Sequence, residues 1–323
     1  MILLINHYIK ALHKIFKAKN ILLVTHRRPD GDALASISAM MELCIGMEKK
    51  FSAYSADPAP AHYHFLPHVE KIVNDKNQLD FSSFDLIIAL DCGSLDRTTL
   101  SQEISERSED QFVIEFDHHP RVDEYSDLEI RYLEASSTAE ILYYFFKGNN
   151  IKFNKNLANC ILTGILTDTG NFLYPSTTDE TIKIASKMLL HGARFPVILE
   201  HTWRNKSMGG MKIWGQAMSN LQINKKYNIA FTVLTREDIN RYQVSDEELE
   251  GVSGFLSNLS DVNALLFLRE EDNGRIKGSL RTSHPKIDIS RLATHLGGGG
   301  HPKASGFMLK GKLEKTKTGW QIN

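Results

Sequence analysis

The chain reads as an α/β protein: an N-terminal domain with a mostly parallel sheet flanked by helices, then a smaller C-terminal α/β domain. Three observations predict this. Ile21 to Thr25, DLIIALD (85–91) and FVIEFD (112–117) are short continuous apolar runs, as found in strands buried on both faces. Stretches with helical spacing separate them, beginning with Ala33 to Met47. Beyond residue 222 the pattern becomes hairpin-rich. A length of 323 residues exceeds the usual size of one domain and agrees with two.

The opening MILLINHYIKALHKIFKAKN mixes Lys and His into its apolar positions and lacks a small-residue cleavage site, so it reads as an amphipathic first helix, not a signal peptide. No segment offers about 18 consecutive apolar residues, which excludes a membrane span and points to a cytoplasmic protein. After the three strands, helices are expected at about 136–148 and 155–166. A further one starts at SSTAE or at PSTTDE, where Thr177 and Glu180 make a capping-box pattern, and ends at His191-Gly192.

The expected organisation is a first domain over 1–192, a helical linker over 193–222, a second domain over 223–316 and a solvated tail over 317–323. In the second domain, NIAFTVLT, NALLFLRE and RIKGSLRTS read as strands, the last two joined at Asp272-Asn273-Gly274, a hairpin turn signal. Cys44, Cys92 and Cys160 are far apart, form no C-x-x-C pair and are expected as buried thiols. A net charge of −1 gives no global attraction for a long duplex, so any nucleic-acid substrate must be gripped locally.

Polar residues gather where the apolar runs end. VTHRRPDGDALAS contributes His26, Asp30 and Asp32; the next two strands contribute Asp91, then Asp117, His118 and His119; ILTGILTDTGNF adds Asp168. In open α/β sheets these carboxyl ends are where ligands bind. Taken alone, H-x-x-x-D-G-D is weak, because Asp-Gly is a common turn and Asp32 a suitable helix N-cap. The four pieces together say more. Five carboxylates and three imidazoles at one sheet edge would repel one another without a cation. A pair of divalent ions removes that problem, and mostly oxygen donors suit manganese or magnesium, with zinc left open by ligand type. Two ions about 3.5–4 Å apart, bridged by one carboxylate, activate water for in-line displacement at phosphorus.

The order of these motifs resembles that of the DHH phosphoesterase family, and GSLRTS (278–283) with GGGGHPKASGF (297–307) resembles its companion DHHA1 domain. THRRPDGDALAS and TGNFLYPSTTDETIKIASKMLLHGA look most like the short two-domain members with oligoribonuclease and 3'-phosphoadenosine 5'-phosphate (pAp) phosphatase activity. The resemblance implies one metal on His26, Asp30 and Asp91 and a second on Asp32, Asp91, His118 and Asp168. It also implies that Asp117 orients an imidazole and that His119 contacts the scissile phosphate or protonates the leaving oxygen. The family's usual ion is manganese.

For the second domain, backbone amides of Gly298, Gly299 and Gly300, with Arg281 and His301, are expected to hold the non-reacting part of the substrate. Ser305 stands where the family commonly has alanine. The expected enzyme is a manganese-dependent hydrolase that cleaves short single-stranded RNA of two to five nucleotides to mononucleotides, or pAp to AMP, by two-metal activation of water. Expected partners are such oligonucleotides or pAp, with no long duplex and no membrane, and a homodimer is compatible. The rivals are a phosphodiesterase acting on pApA, a polyphosphatase, and a nucleotide-binding protein without catalysis. GFMLKGK (306–312) misses the P-loop Ser/Thr at Leu313. His62, His64 and His68 read as a surface loop or rim.

Overall fold

The computed structural model describes residues 2–272, 274–316 and 319–323, without the side chains of 2–4, 246 and 247. Within it, contacts cluster into two units, one of residues 1–172 and 176–205, the other of 173–175 and 206–323.

In the first unit, α1 (Ile2–Lys17) leads into β1 (Asn20–Val24), α2 (Gly31–Gly46), β2 (Lys50–Tyr54), β3 (Ile72–Val73), β4 (Leu86–Leu90), α3 (Ser101–Ser105), β5 (Phe112–Asp117) and β6 (Leu128–Arg131). The helices α4 (Thr138–Gly148), α5 (Lys155–Asp168), α6 (Asp179–Leu190) and α7 (Phe195–Thr202) follow. The sheet order is β3-β2-β1-β4-β5-β6, parallel throughout. Strand succession therefore reverses between β1 and β4, which opens a crevice at their carboxyl ends. Both faces are covered. Leu23, Ile88 and Ile114 pack with α2, α4 and α5, while Leu22, Ile87 and Val113 pack with Leu100 and Ile104 on the other side.

In the second unit, α8 (Met208–Ser219), β7 (Gln222–Asn224), β8 (Ile229–Leu234), α9 (Arg236–Tyr242), α10 (Val252–Leu256), β9 (Ala264–Glu271), β10 (Arg275–Arg281), α11 (Ser290–His295), β11 (Gly299–His301) and β12 (Ala304–Lys310) follow in order. Their sheet runs β11-β12-β10-β9-β8-β7 and is mixed, since β8 and β9 are parallel and the other pairs antiparallel. A separate hairpin joins β13 (Leu313–Thr316) to β14 (Gly319–Ile322).

Three expectations change. The stretch 193–222, expected as a helical linker, is divided between the two cores: α7 buries Ile198 in the first and α8 buries Ile213 and Ala217 in the second. The capping box of α6 lies one residue later, on Thr178 and Thr181, because both hydroxyls reach the other residue's amide. The chain end is a strand: Lys312 and Asn323 exchange backbone hydrogen bonds of 2.8 and 3.0 Å, and Trp320 packs on the second core. GFMLKGK, as expected, is no P-loop: it runs along β12 toward β13, with no helix after it among the described residues. Asn273 of the expected turn and Lys317 of the tail lie outside the described residues. All three cysteines are buried and unpaired.

Candidate metal centre

The crevice between β1 and β4 draws its polar groups from short turns and two helix ends. After β1 the chain bends at Arg27 and Arg28, the latter with φ 53°, and Asp30, with extended φ −91° and ψ −168°, becomes the N-cap of α2. Its Oδ1 accepts from the amides of Asp32 and Ala33, both at 3.1 Å. Asp32, the expected cap, instead lies in the first turn and caps a different helix: its oxygens accept from Thr138 N at 2.6 Å and Ala139 N at 3.0 Å, the first amides of α4. Asp91 follows β4 in a left-handed conformation, φ 59°, with its amide bonded to Phe116 O at 2.9 Å. Asp168 is the last residue of α5, so a helix end completes what was expected from a sheet edge alone.

These turns bring together all eight residues, in groups whose donor atoms lie within 4.8 Å of one another: His26, Asp30 and Asp91; Asp32, His118 and Asp168; Asp91, Asp117 and His119. His26 Nε2 stands 3.9 Å from both Asp30 Oδ2 and Asp91 Oδ2. His118 Nε2 lies 3.7 Å from Asp91 Oδ1 and 3.3 Å from Asp168 Oδ2. Donors around a divalent ion with bonds of about 2.1 Å are spaced roughly 3–4 Å apart, so these gaps suit a cation.

A stronger indication is chemical. The ring of His26 directs Nδ1 at Arg27 O, 2.8 Å away, which keeps that nitrogen protonated and leaves a lone pair on Nε2. Among the described residues Nε2 is buried without a hydrogen-bond partner, and the groups in front of it are carboxylates. Only a proton or a metal ion reconciles a lone pair with two anionic acceptors.

The electrostatics say the same. Burial, then the neighbouring Asp30, pushes the Asp32 carboxyl up to about 7. Burial also raises Asp91 well above the usual carboxylate range, helped by Asp32, Asp30, Asp117 and Asp168. His26 is brought down to about 4 by burial, against the pull of Asp30. Such carboxylates hold protons where a cation is missing, and neutral imidazole is the form that ligates metal. Asp117 differs. Against its burial, the hydrogen bond and charge of His119 and the charge of Arg131 hold it below the usual range.

Asp117 Oδ1 accepts from His119 N at 2.8 Å and faces His119 Nδ1 at 2.9 Å, while Oδ2 accepts from Gly93 N at 2.6 Å. Three supports of this kind were not picked out from the sequence. Thr138 Oγ1 donates to Asp91 Oδ1 at 2.8 Å. Arg131 bonds Glu115 and Glu129 and stands 3.5 Å from Asp117. Gly93, φ 69°, carries the amide that ties Asp117. The readable signal was the Ser-Ser-Thr start of α4, whereas Arg131 meets Asp117 only through the β5–β6 register.

In the second unit, Arg281 ends β10 and Gly299–His301 form the edge strand β11. Gly298 has a packing reason instead of the expected open amide: its N–H donates to Ala293 O at 2.8 Å, and a β-carbon there would meet Gly306 O at 2.0 Å. Of the histidine loop, His68 Nε2 pairs with Glu42 Oε2 at 2.6 Å and His64 reaches Ala59 O at 3.2 Å. No helix among the described residues is long and apolar enough to cross a membrane.

Residues 20–165 match the DHH family N-terminal domain and residues 224–318 the DHHA1 domain. The chain is 28% identical over 293 residues to the bifunctional oligoribonuclease and PAP phosphatase NrnA of Bacillus subtilis, covering 90% of this chain and 89% of that protein. The protein of the same description from Thermus thermophilus is 27% identical over 291 residues, covering 90% and 84%. A solved structure of an exopolyphosphatase-related protein from Bacteroides fragilis superposes with a TM-score of 0.84 at 27% identity, covering 95% of this chain and 92% of the other. Fold and site thus define a hydrolase of phosphoric esters with a cluster able to hold metal. The chain carries a DHH family N-terminal domain followed by a DHHA1 domain.

Proposed function

We propose that this protein hydrolyses short oligoribonucleotides of two to five residues to mononucleotides, and pAp to AMP, with two manganese ions. His26, Asp30 and Asp91 would hold one ion, and Asp32, Asp91, His118 and Asp168 the other. Bound there, the ions supply Lewis acidity and positive charge at the reacting phosphorus. The observation that carries the reading is the buried, unpartnered Nε2 of His26 facing two carboxylates. The substrate class rests on likeness over most of the chain to proteins described as oligoribonuclease and PAP phosphatase.

The protein's own groups prepare the rest. Ionised Asp117 orients the ring of His119 through Nδ1, and Nε2 is the atom that would contact the phosphate or protonate the leaving oxygen. In the second unit, Arg281, Gly299, Gly300 and His301 are the proposed contacts for the non-reacting part of the nucleotide. A second reading, polyphosphate as substrate, is favoured by the exopolyphosphatase-related structure. A turnover screen with manganese over RNA dinucleotides, pAp and polyphosphate separates the two. Release of mononucleotides and of phosphate from pAp is expected; turnover of polyphosphate alone would replace the first reading by the second.

A further inference from the structure

Among the arginines near the centre, Arg97 is set apart. Arg27 pairs with Asp96 at 3.1 Å, and Arg131 with Glu115 and Glu129. Arg97 forms no side-chain hydrogen bond or ion pair among the described residues, although it is half-buried. Its backbone is fixed: it lies in a 3₁₀ turn over Leu95–Thr98, and its carbonyl accepts from Arg27 N at 2.8 Å.

Its side chain reaches the centre. A β-carbon placed on Gly93 would meet Arg97 Nη1 at 2.7 Å and His119 Cγ at 3.7 Å, so guanidinium and imidazole converge over this glycine. The positive charge acts on both His26 and Asp30. The nearby carboxylate oxygens are directed elsewhere: those of Asp32 to α4 amides, those of Asp117 to Gly93 and His119. A planar fork with five donors is thus held beside the cluster with its donors uncommitted.

Charge balance gives it a purpose. Asp30, Asp32, Asp91, Asp117 and Asp168 exceed the charge of two divalent ions by one, so the loaded cluster alone repels an anionic ester. We infer that Arg97 is the phosphate-binding residue of this centre, its guanidinium receiving the non-bridging oxygens of the phosphoryl group that is hydrolysed. The inference rests on the cluster being a divalent-metal phosphoesterase centre, and it applies whichever phosphoric ester is the substrate. Gly93 then serves twice, through the amide that ties Asp117 and through the missing side chain that makes room for the guanidinium.

The test uses the manganese-loaded full chain with Arg97→Gln, Arg97→Lys and, as a control on an exposed pair, Arg27→Gln. Metal content, calorimetric affinity for inorganic phosphate and kcat/KM on pAp and a dinucleotide are measured together. Arg97→Gln should keep its metal, bind phosphate at least about tenfold more weakly and lose about 100-fold or more in kcat/KM. Arg97→Lys should recover part of both losses, and Arg27→Gln should stay within about twofold. Unchanged phosphate affinity in Arg97→Gln overturns the inference, as does a loss of metal in step with the loss of phosphate. If the wild type binds phosphate through Arg97 but cleaves neither nucleotide, the substrate proposal falls and the role of Arg97 stands.

Discussion

On one side of Asp91, His26 and Asp30 hang on the loop between β1 and α2; the imidazole stands 3.9 Å from either carboxylate, and Asp30 is half exposed. On the other side, Asp32 is clamped by two α4 amides, and His118 Nδ1 lies 3.3 Å from Ala135 O. The difference lies in what holds each side without metal. Backbone donors already satisfy Asp32, so that side is preorganised, whereas His26 keeps an unmet lone pair that only a cation or a proton completes. Asp91 belongs to both sides, and Thr138 fixes one of its oxygens.

The largest effect should come from removing what the two sides share. Asp91→Asn preserves volume and tolerates the left-handed backbone, but it removes the bridging charge. We expect kcat/KM to fall by about 1,000-fold or more, while the thermal midpoint in chelator holds or rises because a buried carboxylate has gone. Activity within about tenfold of wild type would end the bridging role.

A substitution aimed at the preorganised side should be smaller and selective. A β-carbon at Gly164 of α5 would meet Asp32 Oδ1 at 2.4 Å and Ala139 Cβ at 2.5 Å. Gly164→Ala should displace Asp32, destabilise the chain by about 1–3 kcal/mol and lower turnover by about 100-fold. Metal analysis should find the ion on the His26 side retained. Loss of both ions at once would show that the two sides are not independent.

The gentlest probe is pH on the metal-free chain. Asp32, at about 7 when folded and 3.8 as a free carboxyl, adds stability that is complete below pH 3.8 and lost as pH climbs toward 7; Asp91 shifts in the same direction. His26, at about 4 against 6.5, contributes oppositely: its stability is complete above pH 6.5 and lost as pH falls toward 4. Above pH 6.5 the carboxylates act alone. The thermal midpoint in chelator should therefore drop by a few degrees between pH 6.5 and 7.5, and manganese should abolish the drop by replacing the protons. A chelated midpoint that climbs over this interval would contradict the raised carboxylates.

Much of this centre was legible because its residues terminate apolar runs. His26, Asp91 and Asp117 fall at strand ends, where a parallel sheet gathers ligands, so periodicity alone put them on one edge. Asp32 was legible as a polar residue but not as the cap of α4, since its partners Thr138 and Ala139 lie 106 and 107 positions away. Arg131 was hidden for a related reason: it meets Asp117 through the β5–β6 register, which no local pattern states. The glycine cluster misled in part, because Gly298 answers to the backbone of β12 packed against it.

By itself, the sequence determined the strands, the helices between them and the type of chemistry, since these follow from local periodicity and from the residues that end each run. Only the tertiary structure decided the strand order that reverses between β1 and β4, the pairing of Asp32 with α4, and the approach of Arg97 to His119 over Gly93. The physical reason is range. Local preferences act over a few residues, whereas burying a carboxylate or leaving a guanidinium uncommitted depends on groups that meet only when distant segments pack.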